Sequence, residues 1–249
     1  MLPSLSVITA TYNCVSLVQR LAKSLQSQTC KEFHWIVVDG ASTDGTREFL
    51  LAFSADNPWC SFQSEPDFGI YDALNKGIVS LKTPYYVVAG ADDQFSADAI
   101  ERYRAIVCGG TAPDVVLARV MIAGRVHGGF HPHRAWLGHQ KVFGGSHSVG
   151  MLIRSDLHRK IGRYSNRFPM LADGYFLKRA LGHSEVRFMQ ADFVAGEFAL
   201  GGLSSSGKLQ SLAEGWQIQM LTERFKLLQV MLFVVKLCLR LPALLKPHA

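Results

Sequence analysis

Two adjacent aspartates, Asp92 and Asp93, follow a run of β-forming residues in the segment YYVVAGADDQF, from Tyr85 to Phe95. The run is apolar without alternation, which is typical of a parallel strand covered on both faces. Open α/β sheets bind ligands at the carboxyl ends of their strands. Two carboxylates there can hold a divalent cation such as Mg²⁺ or Mn²⁺, which commonly also binds substrate phosphates. The alternative is that the pair caps the helix that follows.

Alternating strands and helices must position these carboxylates. Strands are predicted at Leu5 to Thr9, Trp35 to Val38, Ser61 to Glu65 and Tyr85 to Ala89, with a helical period between them. Short connections favour right-handed βαβ crossovers, an α/β fold and a mainly parallel sheet flanked by helices through about residue 107. Beyond that point we expect loops over a site at 124–145, a strand at 186–193 and a long helix at about 208–241.

Composition and charge narrow the class of protein. The chain has 249 residues, 48% of them hydrophobic, and a formal net charge of +6, which predicts a globular protein with an anionic partner. Nucleotide, nucleic acid, phosphorylated lipid and membrane surface all fit that sign. The five cysteines form no C-x-x-C pair, so neither a disulfide framework nor a zinc site is expected, and a reducing compartment is favoured. No signal peptide is expected at the N-terminus.

Asp39 is placed like Asp92 and Asp93, at the carboxyl end of the second predicted strand in VVDGASTDGT. A carboxylate there can accept hydrogen bonds from a ribose or a base. A turn aspartate that binds its own backbone is the alternative. The first strand is followed by TATYN rather than G-x-G-x-x-G, so the dinucleotide-binding motif is missing and a dehydrogenase is disfavoured.

Taken together, the motifs resemble family 2 glycosyltransferases of the GT-A fold, bacterial enzymes that build exopolysaccharide, capsule and O-antigen units. The resemblance is closest to the colanic-acid-type transferases and covers about residues 5–207. In the N-terminal half it is carried by SVITATYN, WIVVDGASTDGT, SEPDFGIYDALNKGI and GADDQF. In the second half it is carried by HQKVF, LADGYFLKRAL and FALGGLSSSG.

The resemblance implies roles for particular residues. Asp92 and Asp93 match the family's D-x-D-type motif, although the sequence reads ADD. Asp93 is then the metal ligand, and Asp92 contacts the ribose or the metal. The remaining nucleotide-sugar contacts implied by the resemblance are Thr9, Ala10, Thr11, Tyr12 and Asp39, with Asp67 and Lys76 at the border of the pocket.

Asp173 in LADGYFLKRAL is the residue that the resemblance identifies as the general base. It would take the proton from the acceptor hydroxyl in a single displacement, which inverts the stereochemistry of the sugar. Gly174 departs from the family, which has an aromatic or acidic neighbour there. The alternative for Asp173 is a helix N-terminal acid favoured by the dipole. The resemblance also makes His139 a possible contact of the acceptor or diphosphate.

Two further features require an interpretation. Five of the nine histidines fall at 127–147, but no acid or cysteine accompanies them at ligand spacing, so zinc is disfavoured.

The apolar segment from Leu227 to Leu245 contains two basic residues that would cost about 2.5–3.5 kcal/mol each at a bilayer centre. We therefore expect an in-plane amphipathic helix, with a dimerisation or core-packing helix as the alternative. Residues predicted to enter the interface are Leu228, Met231, Leu232, Phe233 and Val235, and those predicted to meet headgroups are Lys226, Lys236, Arg240 and Lys246.

The sequence thus predicts a glycosyltransferase domain at 1–207, with a nucleotide-sugar half at 1–107 and an acceptor half at 108–207. A membrane-associating helical segment follows at 208–249. The predicted reaction is metal-dependent, inverting transfer from a nucleotide-sugar, with UDP as the usual family choice. The expected acceptor is a polyprenyl-diphosphate-linked or other saccharide, at the cytoplasmic face of the plasma membrane. The alternatives are a nucleotidyltransferase and an inactive nucleotide-sugar or glycan binding protein. Nothing beyond charge supports nucleic-acid binding.

Overall fold

The computed structural model describes residues 5–110, 112–144, 148–199 and 207–244, without the side chains of 208 and 240–244. Within these ranges the strands form a single sheet. The strands are β1 Leu5–Thr11, β2 Phe33–Asp39, β3 Cys60–Ser64, β4 Tyr85–Val88, β5 Gln94–Phe95, β6 Val115–Ile122, β7 Arg125–His127, β8 Met151–Arg154 and β9 Phe188–Phe198. The helices are α1 Val15–Gln26, α2 Thr46–Asp56, α3 Ile70–Val79, α4 Ala99–Cys108, α5 His139–Val142, α6 Leu157–Ile161, α7 Ala172–Leu181, α8 Lys208–Thr222 and α9 Lys226–Leu244.

The sheet is parallel where strands and helices alternate. Its order is β3-β2-β1-β4-β8-β6-β9-β5, with β7 paired to β6, and the first four strands in this order are mutually parallel. Strand β8 then pairs antiparallel with both β4 and β6, whereas β9 runs parallel to β6. The predicted α/β class is confirmed. The antiparallel pairs enter after Gly109, where the regular helical crossovers that parallel neighbours need come to an end.

Strand order places a crevice at the carboxyl end of β1. From β1 the chain moves to β2 and β3 on one side, and then to β4 on the other. Loops after β1 and β4 therefore diverge at this point, which is where open α/β sheets bind ligands. The ends of β2 and β4 flank β1, so residues that are distant in sequence share one edge.

Helix boundaries differ from the predictions in two places. Helix α4 begins at Ala99 after Asp98, so Asp92 and Asp93 do not cap it, and the capping alternative for this pair is wrong. The long helix expected from residue 208 is two helices, because Glu223 adopts an extended conformation after α8. Strand β9 also begins later and runs further than the predicted 186–193.

Buried polar groups attach α8 to the rest of the fold. Glu214 on α8 accepts hydrogen bonds from the amides of Met170 and Leu171, at 3.0 Å each, just before α7 begins. Lys178 on α7 is buried and donates to the Ala135 carbonyl at 2.9 Å, with Glu223 as its charged partner. A buried cation requires such partners to offset its lost hydration. The helices after residue 207 are thus fixed to the segment that carries Asp173.

A buried histidine makes stability depend on pH. The His158 ring bonds the Tyr86 hydroxyl through Nε2 at 2.7 Å and stacks on Phe176 at 4.6 Å. Burial lowers its pKa from 6.5 to about 4. The unfolded chain therefore binds a proton that the folded chain excludes between these values, and the free energy of unfolding falls as pH drops from 6.5 to 4. Once the pH is below both pKa values, the free energy of unfolding has fallen by roughly 3 kcal/mol in total.

Urea unfolding of wild type and His158→Gln at pH 7.5, 6 and 4.5 tests this. We expect the wild type to lose more stability than the variant on acidification, because glutamine does not titrate. Parallel losses in the two proteins would contradict the assignment of this pH dependence to His158.

Candidate functional site

Asp93 is almost completely buried, with 1% of its surface exposed, just beyond the end of β4. Its Oδ2 accepts hydrogen bonds from the Gly90 amide at 2.8 Å and the Ser148 hydroxyl at 2.6 Å. Its Oδ1 is buried and, within the described part of the chain, accepts no hydrogen bond of ordinary geometry. Burial raises the pKa of Asp93 to about 6, and the hydrogen bonds from Ser148 and Gly90, together with the proximity of the Ala199 amide, partly offset this rise. A buried carboxylate with an unsatisfied oxygen requires a partner.

Asp92 and Asp93 converge on Gly90. A Cβ added at Gly90 would lie 2.7 Å from Oδ1 of Asp92 and 3.2 Å from Oδ2 of Asp93, so only glycine leaves room for both carboxylates. Hard oxygen donors around an orphaned Oδ1 fit Mg²⁺ or Mn²⁺. No third histidine, cysteine or acid joins them among the described residues. A cation here would therefore take its remaining ligands from substrate oxygens and water.

Asp39 is fully buried at the end of β2, and its carboxylate is saturated with hydrogen bonds. Oδ1 accepts from the hydroxyls of Thr11 and Ser42, and Oδ2 accepts from the Ser42 amide and the Ser64 hydroxyl. In this structure Asp39 therefore joins the ends of three strands, as the turn-aspartate alternative expects. A contact with ribose or base would require exchange of one of these bonds.

The four residues TATY divide between core and surface. Thr9 is fully buried and accepts a 3.0 Å hydrogen bond from the Trp35 indole, so its side chain lies in the core rather than in the predicted pocket. Thr11 is also buried, with its hydroxyl on Asp39. Ala10 is half-buried, whereas 68% of the Tyr12 surface is exposed. Strand β1 extends through Thr11, and the alternation of its side chains decides this division.

Tyr12 and Asp67 meet above Gly40. A Cβ at Gly40 would lie 2.7 Å from Oδ2 of Asp67 and 3.3 Å from Cδ2 of Tyr12. The Asp67 carboxylate also accepts a hydrogen bond from the Gly69 amide at 2.8 Å. An aromatic ring and a carboxylate thus form an exposed shelf beside the crevice, which we call the Tyr12–Asp67 shelf.

Lys76 lies behind this loop and fixes it. Its ammonium contacts the Glu65 carboxylate at 2.9 Å, the Pro66 carbonyl at 2.9 Å and the Asp72 carboxylate at 3.5 Å. Lys76 therefore supports residues 65–69, and its charge is already balanced by two acids.

Asp173 lies in the first turn of α7 and is held by Tyr71, the second residue of α3. The Tyr71 hydroxyl donates to Oδ1 of Asp173 at 2.7 Å and also lies 3.2 Å from the Met170 carbonyl. Burial and the Asp173 charge raise the pKa of Tyr71 well above 10, so the hydroxyl keeps its proton. Tyr71 therefore orients the Asp173 carboxylate through Oδ1.

His139 packs directly on Gly174. A Cβ at Gly174 would come within 2.8–3.0 Å of three atoms of the His139 ring, so any larger residue would displace the ring. The glycine that departs from the family motif therefore makes space for His139 beside Asp173. The structure brings these two predicted site residues together across 34 positions of sequence.

Several functional neighbours lacked a sequence signal. Ser148 and Tyr71 contact Asp93 and Asp173 across 55 and 102 residues, and neither side chain is distinctive in its own motif. Ser42 was recognisable, because a serine three residues after an aspartate commonly closes a turn on it. His147 and most of FALGGLSSSG lie outside the described residues.

Comparison with known proteins supports the resemblance. The model of the glycosyl transferase family 2 matches residues 6–163. The chain is 29% identical over 215 residues to a PGL/p-HBAD biosynthesis glycosyltransferase of Mycobacterium bovis, covering 82% of this chain and 80% of that protein. Two solved structures share the fold at 16% identity and a TM-score of 0.67 each. One is S. aureus TarS 1-349 in complex with UDP-GlcNAc, with coverage of 96% of this chain and 72% of that chain. The other is the mannosyltransferase PcManGT of Pyrobaculum calidifontis in complex with GDP-Man and Mn²⁺, with coverage of 97% and 76%.

The family match extends from β1 through α6 and includes the Asp39, Asp67 and Asp92–Asp93 motifs. The predicted membership and the predicted GT-A-like α/β fold are both confirmed. The chain belongs to glycosyl transferase family 2 and is a glycosyltransferase.

Proposed function

We propose that this chain is a metal-dependent, inverting transferase that moves a sugar from a nucleotide-sugar, UDP-linked, to a lipid-linked saccharide in the synthesis of cell-surface polysaccharide. The observation that carries the proposal is the continuous segment from Asp67 to Tyr71. Its first residue belongs to the Tyr12–Asp67 shelf and its last holds Asp173. One short segment thus connects the shelf with a candidate base.

Asp93 and Asp92 would hold the metal ion, Mg²⁺ or Mn²⁺. When bound, such an ion stabilises the negative charge that develops on the leaving diphosphate. The orphaned Oδ1 of Asp93 supports this role, as does the Mn²⁺ in the PcManGT complex. Ser148 and the Gly90 amide would keep the carboxylate in place through Oδ2.

The Tyr12–Asp67 shelf would take the nucleoside. Tyr12 offers an exposed ring for stacking on a base, and Asp67 offers oxygens to ribose hydroxyls or a base N–H. Asp39 would support this surface indirectly, because its carboxylate holds Thr11 and Ser42 in place through hydrogen bonds. Two proteins of the same fold support a nucleotide-sugar donor, because TarS was solved with UDP-GlcNAc and PcManGT with GDP-Man.

Asp173 would remove the proton from the acceptor hydroxyl as that oxygen attacks the anomeric carbon. The nucleophile and the departing diphosphate must lie on opposite faces of the sugar in a single displacement, so the configuration inverts. Tyr71 acts as a positioning residue that orients the carboxylate. His139, packed beside it on Gly174, would contact the acceptor or the diphosphate.

Different observations bear on the two alternatives, a nucleotidyltransferase and an inactive nucleotide-sugar or glycan binding protein. Family membership argues against a nucleotidyltransferase. An inactive binding protein would keep the shelf and lose the base, whereas here Asp173 is present and held by Tyr71. Turnover separates this alternative from a transferase, since a binding protein would retain donor affinity without releasing nucleoside diphosphate.

The proposal is tested by a thermal-shift screen of the wild type against nucleoside diphosphates and their sugars, with Mn²⁺, Mg²⁺ or chelator. A ligand that binds only the folded state stabilises it by RT ln(1 + [L]/Kd). We expect the largest shift with a uridine nucleotide and a metal ion, and a smaller shift with chelator. No shift with any nucleotide would overturn the donor-binding proposal.

We further propose that α9 docks on a membrane surface at the cytoplasmic face. No helix in the described ranges is both long and apolar enough to span a bilayer. Helix α9 nevertheless turns an apolar face outward, and Arg224 and Lys226 are exposed at its start beside Phe225, a combination that suits anionic headgroups. The exposed apolar side chains are Leu227, Leu228, Val230, Met231, Val234, Val235 and Leu239.

This orientation corrects part of the predicted membrane face. Lys236 points inward and donates to the Leu137 carbonyl at 2.7 Å, so it does not meet headgroups. Leu232 and Phe233 are half-buried on the same inner side, and Phe233 stacks on Trp216. Arg240 and Lys246 lie outside the described side chains. The predicted in-plane helix therefore has its polar groups, Gln229 and Lys236, toward the protein.

Flotation with vesicles that contain about 30 mol% anionic lipid would test the membrane surface. We expect Met231→Glu to lose vesicle binding and Val126→Glu, an exposed control on β7, to retain it. Equal flotation of both variants would reject the membrane role, and a dimer lost only in Met231→Glu would favour the dimerisation alternative.

A further inference from the structure

A cleft of about 230 Å³ lies between the α5 segment and the two C-terminal helices. Residues of α5, α8 and α9 form most of its walls. Its lining residues include His139, Leu171, Leu212, Gly215, Trp216, Leu232 and Phe233.

The cleft reaches the candidate base. His139 lines it and also packs on Gly174, the residue next to Asp173. Leu171 lines it from the position just before α7. The cleft therefore adjoins the segment that carries Asp173.

The lining combines apolar walls with hydrogen-bond donors. Trp216 and Phe233 stack with centroids 5.0 Å apart, and Leu212 and Leu232 add aliphatic surface. The indole Nε1 of Trp216 is buried and has no hydrogen-bond partner within the described residues. No lining residue is acidic. A buried N–H without a hydrogen-bond acceptor is unfavourable, so an acceptor oxygen on a ligand would be favourable here.

We propose that this cleft binds the apolar aglycone of the glycosyl acceptor, an alkyl or aryl group joined through an oxygen that accepts a hydrogen bond from Trp216. The inference rests on the proposed function and names the acceptor class for the same site. Its size is suitable, since a cavity of about 150 Å³ accommodates benzene. The aglycone anchors the acceptor while its sugar hydroxyl reaches Asp173.

Helix α9 connects the cleft with the exterior. Leu232 and Phe233 face the cleft, whereas Met231, Val234 and Val235 on the same turns are exposed and apolar. An alkyl chain that emerges from the cleft would therefore continue along an apolar surface. This continuity favours an alkyl aglycone, as a lipid-borne acceptor would supply, over an aryl one.

Gly215 allows the cleft to be filled without disturbing the fold. A Cβ there would make only ordinary contact with Leu171, at 3.7 Å, so Gly215→Leu projects into the cleft without a backbone clash. The substitution also improves the helix propensity of α8. Leu209→Phe is the matched control, because Leu209 lies on the same helix, is 61% exposed and does not line the cleft.

The experiment measures direct binding of methyl, phenyl and hexyl β-D-glucosides by calorimetry, below micelle-forming concentrations, to the wild type and both variants. We expect the wild type and Leu209→Phe to bind the hexyl or phenyl glucoside at least tenfold more tightly than the methyl glucoside. Gly215→Leu should lose this preference, and Trp216→Phe should weaken it. Tighter hexyl than phenyl binding identifies a lipid source, and the reverse identifies an aromatic aglycone.

Equal affinity of the wild type for the three glucosides, or an unchanged preference in Gly215→Leu, would overturn the proposal. Donor binding is read separately from the uridine nucleotide shift in the same samples. If the donor shift is retained but no aglycone preference is seen, the cleft is rejected as an acceptor site and the donor-binding proposal stands. An absent donor shift rejects the proposed function, and the cleft then fails as an acceptor site with it.

Discussion

Asp173→Asn should lower the turnover number by about 10²–10⁴, the range over which a positioned general base contributes. Asparagine keeps the size of the side chain and can still accept the hydrogen bond from Tyr71, but it cannot take a proton. The donor should bind with affinity within about twofold of the wild type, because no contact of the shelf or of Asp93 changes. Release of nucleoside diphosphate in the presence of acceptor, and calorimetric donor titration, measure the two quantities.

Two comparisons make this result specific. Asp156→Asn, an exposed carboxylate of the α6 start that pairs with Arg159, should leave turnover unchanged. Tyr71→Phe should lower it by a smaller factor, because the base remains and only its orientation is relaxed. Retained turnover in Asp173→Asn would reject the role as base. An axial-to-equatorial change at the anomeric carbon, followed by NMR, is the expected sign of inversion.

Removal of the Asp93 carboxylate should abolish metal-dependent nucleotide binding. A ligand at about 100 times its Kd stabilises the folded state by about 2.7 kcal/mol, which for a chain of this size raises Tm by roughly 5–10 °C. We expect this shift with Mn²⁺ or Mg²⁺ in the wild type and its loss in both Asp93→Ala and Asp93→Asn. Asp192→Asn, a highly exposed carboxylate on β9, should keep the shift.

The stability of the ligand-free variants separates loss of binding from loss of folding. Asp93→Asn preserves shape and removes a buried charge whose Oδ1 lacks a hydrogen bond within the described ranges. Burial of an uncompensated charge destabilises the folded state, and Asp93→Asn removes that charge. The ligand-free Asp93→Asn protein should therefore have a Tm no lower than that of the wild type. A full nucleotide shift in Asp93→Asn that still requires the metal ion, and is lost with chelator, would exclude Asp93 as the metal ligand.

Local patterns were sufficient for the sheet and for the position of its acids. The apolar runs at β1, β2 and β4, separated by amphipathic helices, determined a parallel sheet. The parallel arrangement then required Asp39 and Asp93 to reach one edge, because parallel strands end together. These features follow from interactions between residues that are close in sequence, which periodicity records directly.

The same patterns could not decide which of these groups face a ligand. Thr9 and Asp39 sit at the predicted edge, yet one bonds Trp35 and the other bonds three hydroxyls, so both are enclosed by residues from other strands. The partner of Asp93, Ser148, arrives from the far half of the chain. Side-chain partners over such separations depend on how whole elements pack, and no local spacing encodes them.

Two features of the C-terminal half show most clearly what sequence decides and what packing decides. The sequence determined that α9 is apolar with a few polar residues, but only its contact with Leu137 turns Lys236 inward and leaves the apolar face exposed. Likewise, the sequence showed only that Gly174 departs from the family motif. The structure gives the reason, because the His139 ring occupies the space where a Cβ of residue 174 would lie. Sequence alone determined the fold class, the family and the candidate acids. Tertiary packing decided which of them are satisfied internally, because burial and hydrogen bonding are properties of neighbours in space.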